Sequence, residues 1–171
     1  LCDEETSIIN VPNISDVDSL EEILKYLKAD VKREEDHVTI NCQNMTNKCI
    51  PHELSSKLRA SYYFMGALLG KFHEVDMHFP GGCSIGKRPI DLHLKGFREL
   101  GATVYEKDDH IIIKAKELTG NKIYLDIPSV GATINIMLAA VKAKGTTIIE
   151  NAAQEPEIVN VATLLNNMGA K

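Results

Sequence analysis

The chain has 171 residues, a formal net charge of −5, and 44% hydrophobic against 25% charged residues, the balance of a folded globular protein and not of a disordered one. No apolar run approaches the ~20 residues of a membrane-spanning helix, and the acidic opening Leu1-Cys2-Asp3-Glu4-Glu5 is not the basic start of a signal peptide. The negative balance disfavours unspecific binding to nucleic acid or an anionic membrane, so an anionic ligand must be held by a local cluster of cations.

In chain order, residues 6–10 read as a strand, followed by a helix ending at Leu27-Lys28-Ala29 and a hairpin of 31–33 with 37–41. The spacing of Leu58, Tyr62, Met65 and Leu69 predicts a helix over 55–69, with Ser55 as its N-cap. A strand over 75–79 leads into Pro80-Gly81-Gly82-Cys83-Ser84-Ile85-Gly86. A helix then opens at Pro89, a favoured first helical residue, with Ile90, Leu94, Phe97 and Leu100 on its apolar face. A second hairpin pairs 103–106 with 110–114. Ser129 opens a helix over 129–143 that carries Ile134, Leu138 and Val141, and a strand over 147–151 precedes a last helix ending at Met168-Gly169-Ala170.

These elements repeat. Nineteen positions separate Asn10 from Ala29, and 19 separate Asn151 from Ala170, against 23 between Phe79 and Ala102. The middle copy therefore carries about four extra residues, within 80–86. The expected architecture is α/β (α+β), one domain over 1–171 built from three β-α-β-α-β-β-type repeats. Copy one lacks its first helix and copy three its hairpin, so the unit reads as truncated at both ends. No Pro/Gly/Ser-rich linker divides it.

The insertion carries the most chemistry, since loops on a rigid scaffold are where function concentrates. Gly81 and Gly82 let the backbone approach a ligand. Cys83 follows them, Lys87 and Arg88 lie four and five positions on, and Asp91 falls in the next helix's first turn. A thiol beside two cations near a helix N-terminus has a lowered pKa, and the same groups suit a phosphate or carboxylate. Gly81-x-x-x-x-Gly86-Lys87 matches the start of a P-loop, but Arg88 stands where Ser or Thr must hold magnesium.

The remaining candidates read more plainly. The cysteines Cys2, Cys42, Cys49 and Cys83 form no C-x-x-C pair, which suits a reducing cytoplasm. Cys42, Cys49 and His52 match no standard zinc spacing. Arg59 reads as part of a solvated helix face, Glu155 and Glu157 as helix-dipole partners, and His93 as a surface residue.

The stretch from Pro80 to Leu92, with residues 57–61, 129–137 and 147–157, resembles the bacterial UDP-N-acetylglucosamine enolpyruvyltransferases over nearly the whole chain. The resemblance implies an inside-out α/β barrel, or prism, in each of two similar domains. It implies transfer of the enolpyruvyl group of phosphoenolpyruvate to the 3′-hydroxyl of UDP-N-acetylglucosamine, with release of phosphate, in bacterial peptidoglycan synthesis. No metal and no organic cofactor enters that chemistry. By resemblance, Cys83 is the general acid, the site of a covalent adduct and the residue alkylated by fosfomycin. Arg88 reaches phosphate and nucleotide-sugar, Arg59 is a second ligand-binding arginine, and Pro89, Ile90, Asp91, Leu92, Ser129 and Val130 line the nucleotide-sugar site. Ile127-Pro128-Ser129 stands where many relatives carry a lysine. The family's Lys-Asn pair near the N-terminus and the residues of the second domain have no counterpart in this chain, so the chain alone is expected to be inactive. The alternatives are an enolpyruvylshikimate phosphate synthase-like enzyme, against which the Cys-bearing loop argues, and a non-catalytic binding domain of the same fold.

Overall fold

The computed structural model describes residues 3–79, 90–107 and 110–171. β1 (Thr6–Ile8), α1 (Ser15–Tyr26), β2 (Asp30–Glu34) and β3 (His37–Asn41) form the first unit. Its sheet order is β1-β3-β2, with the hairpin's second strand inserted antiparallel between the other two. The second unit repeats that order. β4 (Glu74–His78), α4 (Asp91–Glu99), β5 (Thr103–Lys107) and β6 (His110–Lys114) give the sheet β4-β6-β5, with Val75 opposite Ile113 and Tyr105 opposite Ile112.

The third unit consists of β7 (Lys122–Tyr124), α5 (Val130–Ala140), β8 (Ile148–Glu150) and α6 (Pro156–Asn167), with β7 and β8 parallel. β7 is a strand the sequence reading misses, being three residues with one buried side chain. Ile50 plays the same part before β4, bridging Met77 in parallel.

The helix ends express the repeat most directly. Lys28, Gly101 and Gly169 all adopt positive φ, at 65°, 94° and 97°. Each is followed by an alanine whose N–H reaches back five residues, Ala29 to Leu24, Ala102 to Phe97 and Ala170 to Leu165, at 2.9–3.0 Å. This is the same Schellman closure three times, which satisfies carbonyls the helix would otherwise leave unpaired. Asn10 and Asn151 also match, both left-handed after their strands, at φ 60° and 55°.

The expected helix over 55–69 is not continuous. It resolves into α2 (His52–Ser55), a 3-10 turn over Arg59–Tyr62, and α3 (Tyr63–Phe72). Leu58 is extended between them. Serines that bond locally to the backbone compete with helix: the buried Ser61 hydroxyl donates to the Ser55 carbonyl at 2.8 Å. Ser55 therefore lies at the end of α2 and caps nothing, whereas Ser129 is the N-cap of α5 and accepts from the Ala132 N–H at 3.3 Å.

α3 and α5 are apolar on nearly every side because they cross at the centre of the core. A Cβ on Gly66 would lie 2.2 Å from the Asn135 carbonyl oxygen, and one on Gly70 would lie 3.0 Å from that of Leu138. Gly96 gives α4 the same close approach to Ile136 of α5. Phe97, Met65, Leu68, Leu69, Ile111 and Ile113 fill the space between these helices and the second sheet, fully buried. Each such side chain contributes about 1.5–3 kcal/mol over leaving it in water.

Candidate active site

The helix crossing sets where the N-terminal ends of α3, α4 and α5 lie. Asn135 sits fully buried in the middle of α5 and ties the three together. Its Oδ1 accepts from the Gly66 N–H of α3 at 2.8 Å. Its Nδ2 donates to the Tyr62 carbonyl at 3.0 Å and to His93 Nδ1 of α4 at 2.9 Å. The Gly66 N–H can only donate and the Tyr62 carbonyl can only accept, so the amide orientation follows from its partners. His93 Nδ1 must then be the acceptor, and the ring carries its proton on Nε2.

His93 is thus a buried residue, 4% exposed, and not the surface histidine expected from sequence. Burial lowers its pKa to about 4, with the positive charge of Arg59 adding to the effect and Asp91 opposing it. At neutral pH it is an uncharged imidazole. Its signal in the sequence is the partner: one asparagine in the otherwise apolar or small stretch from Val130 to Ala140.

Around His93 the candidate residues assemble. The Tyr62 ring meets it edge-on, with centroids 4.9 Å apart. The Arg59 guanidinium lies over the Tyr62 ring, 5.3 Å from its centre, in cation–π contact. Arg59 is half-buried in the 3-10 turn and is therefore not the solvated helix position read from spacing. Gly131, second residue of α5, faces the same pair: a Cβ there would lie 2.6 Å from Tyr62 Oη and 3.1 Å from His93 Cε1. Ser129 and Val130 precede it, half-buried. Ile90 is the buried N-cap of α4, Asp91 is exposed in its first turn, and Leu92 packs against the core.

α6 also begins nearby. The Glu157 charge acts on Tyr63, whose pKa is raised chiefly by burial and then by its bond to Tyr62. Beside Ser129, Pro128, Asn151, Ala152 and Glu155 line an open cavity of about 580 Å³.

The structure thus brings together Arg59, Asp91, Ser129 and Val130 through Tyr62, His93 and Gly131. Helix N-termini with their free N–H groups, next to an arginine, form an anion-binding arrangement. Cys83, Lys87, Arg88 and Pro89 lie outside the described residues. Their segment joins β4 to the start of α4, the first turn of which holds Asp91 and His93. Among the described residues, no group of His, Cys, Asp or Glu close enough to hold a metal falls at this end.

A family model described as EPSP synthase (3-phosphoshikimate 1-carboxyvinyltransferase) matches residues 1–171. The chain is 56% identical over 171 residues to UDP-N-acetylglucosamine 1-carboxyvinyltransferase 2 of Oceanobacillus iheyensis, covering 100% of this chain and 40% of that protein. It is 54% identical over 172 positions to UDP-N-acetylglucosamine 1-carboxyvinyltransferase of Streptococcus pneumoniae serotype 2, covering 99% of this chain and 41% of that protein. The chain thus spans about two fifths of the length of the curated relatives it matches. Among solved structures, the enolpyruvyl transferase NikO from Streptomyces tendae superposes with a TM-score of 0.86 at 20% identity, over 99% of this chain and 40% of that one. EPSP synthase from Acinetobacter baumannii gives 0.76 at 18% identity, over 99% and 39%. At such identities the likeness is one of fold, and that fold is mixed α/β.

Proposed function

We propose, because the chain belongs to the EPSP synthase family of carboxyvinyltransferases, that it supplies one wall of an active site for enolpyruvyl transfer to a nucleotide-sugar. The substrates are phosphoenolpyruvate and UDP-N-acetylglucosamine, and the reaction serves bacterial peptidoglycan synthesis in the cytoplasm. The relatives named for the UDP-N-acetylglucosamine reaction are 51–56% identical to the chain, whereas the EPSP synthases are 17–18% identical. That difference favours the nucleotide-sugar over shikimate phosphate. The three repeats suit an inside-out prism with α3 and α5 inside and the sheets outside. A second domain closes the site and brings further charged groups.

One observation carries the reading: Arg59, the first turn of α4 and the capped start of α5 converge on Tyr62, His93 and Gly131. Both substrates are anionic, and an arginine with helix N-termini holds phosphate oxygens in fixed geometry. Arg88 joins Arg59 on the anions. Pro89, Ile90, Asp91 and Leu92, with Ser129 and Val130, border the nucleotide-sugar. The sugar 3′-oxygen adds to C2 of phosphoenolpyruvate and gives up its hydroxyl proton to a base on the second domain, while Cys83 delivers a proton to C3. Loss of a C3 proton and of phosphate then restores the double bond on the product. Fixed cations lower the barrier by stabilising charge that grows on the reacting oxygens.

Mass spectrometry after exposure to fosfomycin tests this assignment. A single adduct on Cys83, with Cys2, Cys42 and Cys49 untouched, is expected. Equal labelling of all four cysteines refutes the reactive-loop assignment. The 171-residue chain alone is expected to turn over neither substrate, because it spans about two fifths of the length of its relatives. Turnover by the isolated chain overturns that expectation.

A further inference from the structure

A second cluster lies on the outer face of the middle sheet. Ile50 bridges Met77 in parallel, with its N–H on the Asp76 carbonyl at 2.9 Å and its carbonyl on the His78 N–H at 3.0 Å. Successive strand residues alternate faces. Met77 points into the core, so Asp76 and His78 point out. The next strand places His110 directly opposite His78. Cys49, preceding the bridging Ile50, joins them on the outer face.

The donors converge closely. One ligand atom each from Cys49, His78 and His110 lies within 4.8 Å of the others. The His78 and His110 rings are 4.9 Å apart. Asp76 Oδ1 lies 2.5 Å from His110 Nε2, both atoms shut off from solvent, and burial first and then the nearby Asp76 carboxylate push the Cys49 thiol pKa up. His52 stands edge-on to His78, at 6.4 Å. None of these residues belongs to the anion site.

We propose that Cys49, His78 and His110, with the Asp76 carboxylate, bind one divalent transition-metal ion of the zinc class. A thiolate with imidazoles selects such borderline ions over magnesium or calcium. With bonds of roughly 2.0–2.3 Å, the donors of a tetrahedral zinc stand roughly 3.5 Å apart. The half-buried side chains therefore close by about an ångström, as rotamer shifts allow. Asp76 supplies the carboxylate that commonly orients a ligating histidine. Binding releases the Cys49 thiol proton to solvent. The ion clips the strand at Ile50, β4 and β6 together, a structural role apart from group transfer.

Titration of the metal-free chain with Co²⁺ tests the proposal. Expected are one equivalent bound, a thiolate-to-cobalt charge-transfer band, ligand-field bands of tetrahedral intensity, and displacement by Zn²⁺. Cys49→Ser removes the charge-transfer band, and Cys83→Ser leaves it. His110→Ala weakens Co²⁺ affinity by more than about 10-fold, and Asp76→Asn by roughly 10–100-fold. Far-UV circular dichroism identifies variants that fold, and His110→Ala keeps the test decisive if Cys49→Ser does not. No charge-transfer band in the parent chain, a band that survives Cys49→Ser, or a band lost with Cys83→Ser overturns the site.

Discussion

Asn135 Nδ2 donates to His93 Nδ1 across 2.9 Å, joining the middle of one buried helix to the first turn of another. The two residues are 42 positions apart in sequence. The bond occupies Nδ1 and so leaves the ring proton on Nε2, while burial first and then the Arg59 charge keep the imidazole neutral.

Removing Asn135 leaves the Gly66 N–H, the Tyr62 carbonyl and His93 Nδ1 without their partner. An unsatisfied buried group costs about 1–3 kcal/mol. Asn135→Ala is expected to lower stability by about 3 kcal/mol or more, read by urea unfolding. A loss below about 1 kcal/mol contradicts the hub role.

The depressed pKa of His93 makes stability depend on pH. Its ordinary value is 6.5 and its folded value about 4. Between these values the unfolded chain binds the proton and the folded chain does not, so stability rises with pH. The contribution is fully present above pH 6.5 and is lost as pH falls through about 4, by about 3 kcal/mol in total. Urea unfolding from pH 7 to 4 is expected to fall less steeply for His93→Gln than for the parent chain.

Arg59 has a separable effect on the same ring. Its charge is the second cause of the His93 shift, after burial. Arg59→Met is expected to raise the His93 pKa above about 4 yet leave it below 6.5, as followed by nitrogen-edited NMR. An unchanged titration places Arg59 too far from the ring to act with it on one anion.

Gly66 and Gly145 separate close packing from backbone strain. Gly66→Ala drives a methyl into the Asn135 carbonyl at 2.2 Å, whereas a Cβ on Gly145 meets nothing within 4 Å and only its φ of 87° opposes substitution. Gly66→Ala is expected to cost about 3 kcal/mol, at the upper end for overpacking, and Gly145→Ala about 1 kcal/mol. Thermal unfolding of the two variants checks the order.

Much of the fold is legible in the chain because it rests on local rules. Strand alternation, the Ser129 cap and the Gly-Ala step after Leu100 and Met168 express themselves within a few residues. The step holds even where Lys28 replaces glycine, since the Schellman bonds form all the same. The continuous helix that spacing predicts over 55–69 is broken because the Ser61 hydroxyl takes the Ser55 carbonyl in place of a regular turn, while the Ser55 hydroxyl reaches the Phe79 carbonyl. β7 escaped because a three-residue strand carries too little periodicity to register.

The sequence by itself determined the repeat of strand, helix and hairpin, its longer middle copy and the Ser129 cap, because motif and period are properties of neighbours along the chain. Only the tertiary structure decided that His93 is buried and neutral, that Tyr62 touches both it and Arg59, and that Cys49 meets His78 and His110. Those relations depend on how closely Gly66 and Gly96 let the helices approach and on strand register across a sheet, and neither is a local property of the chain.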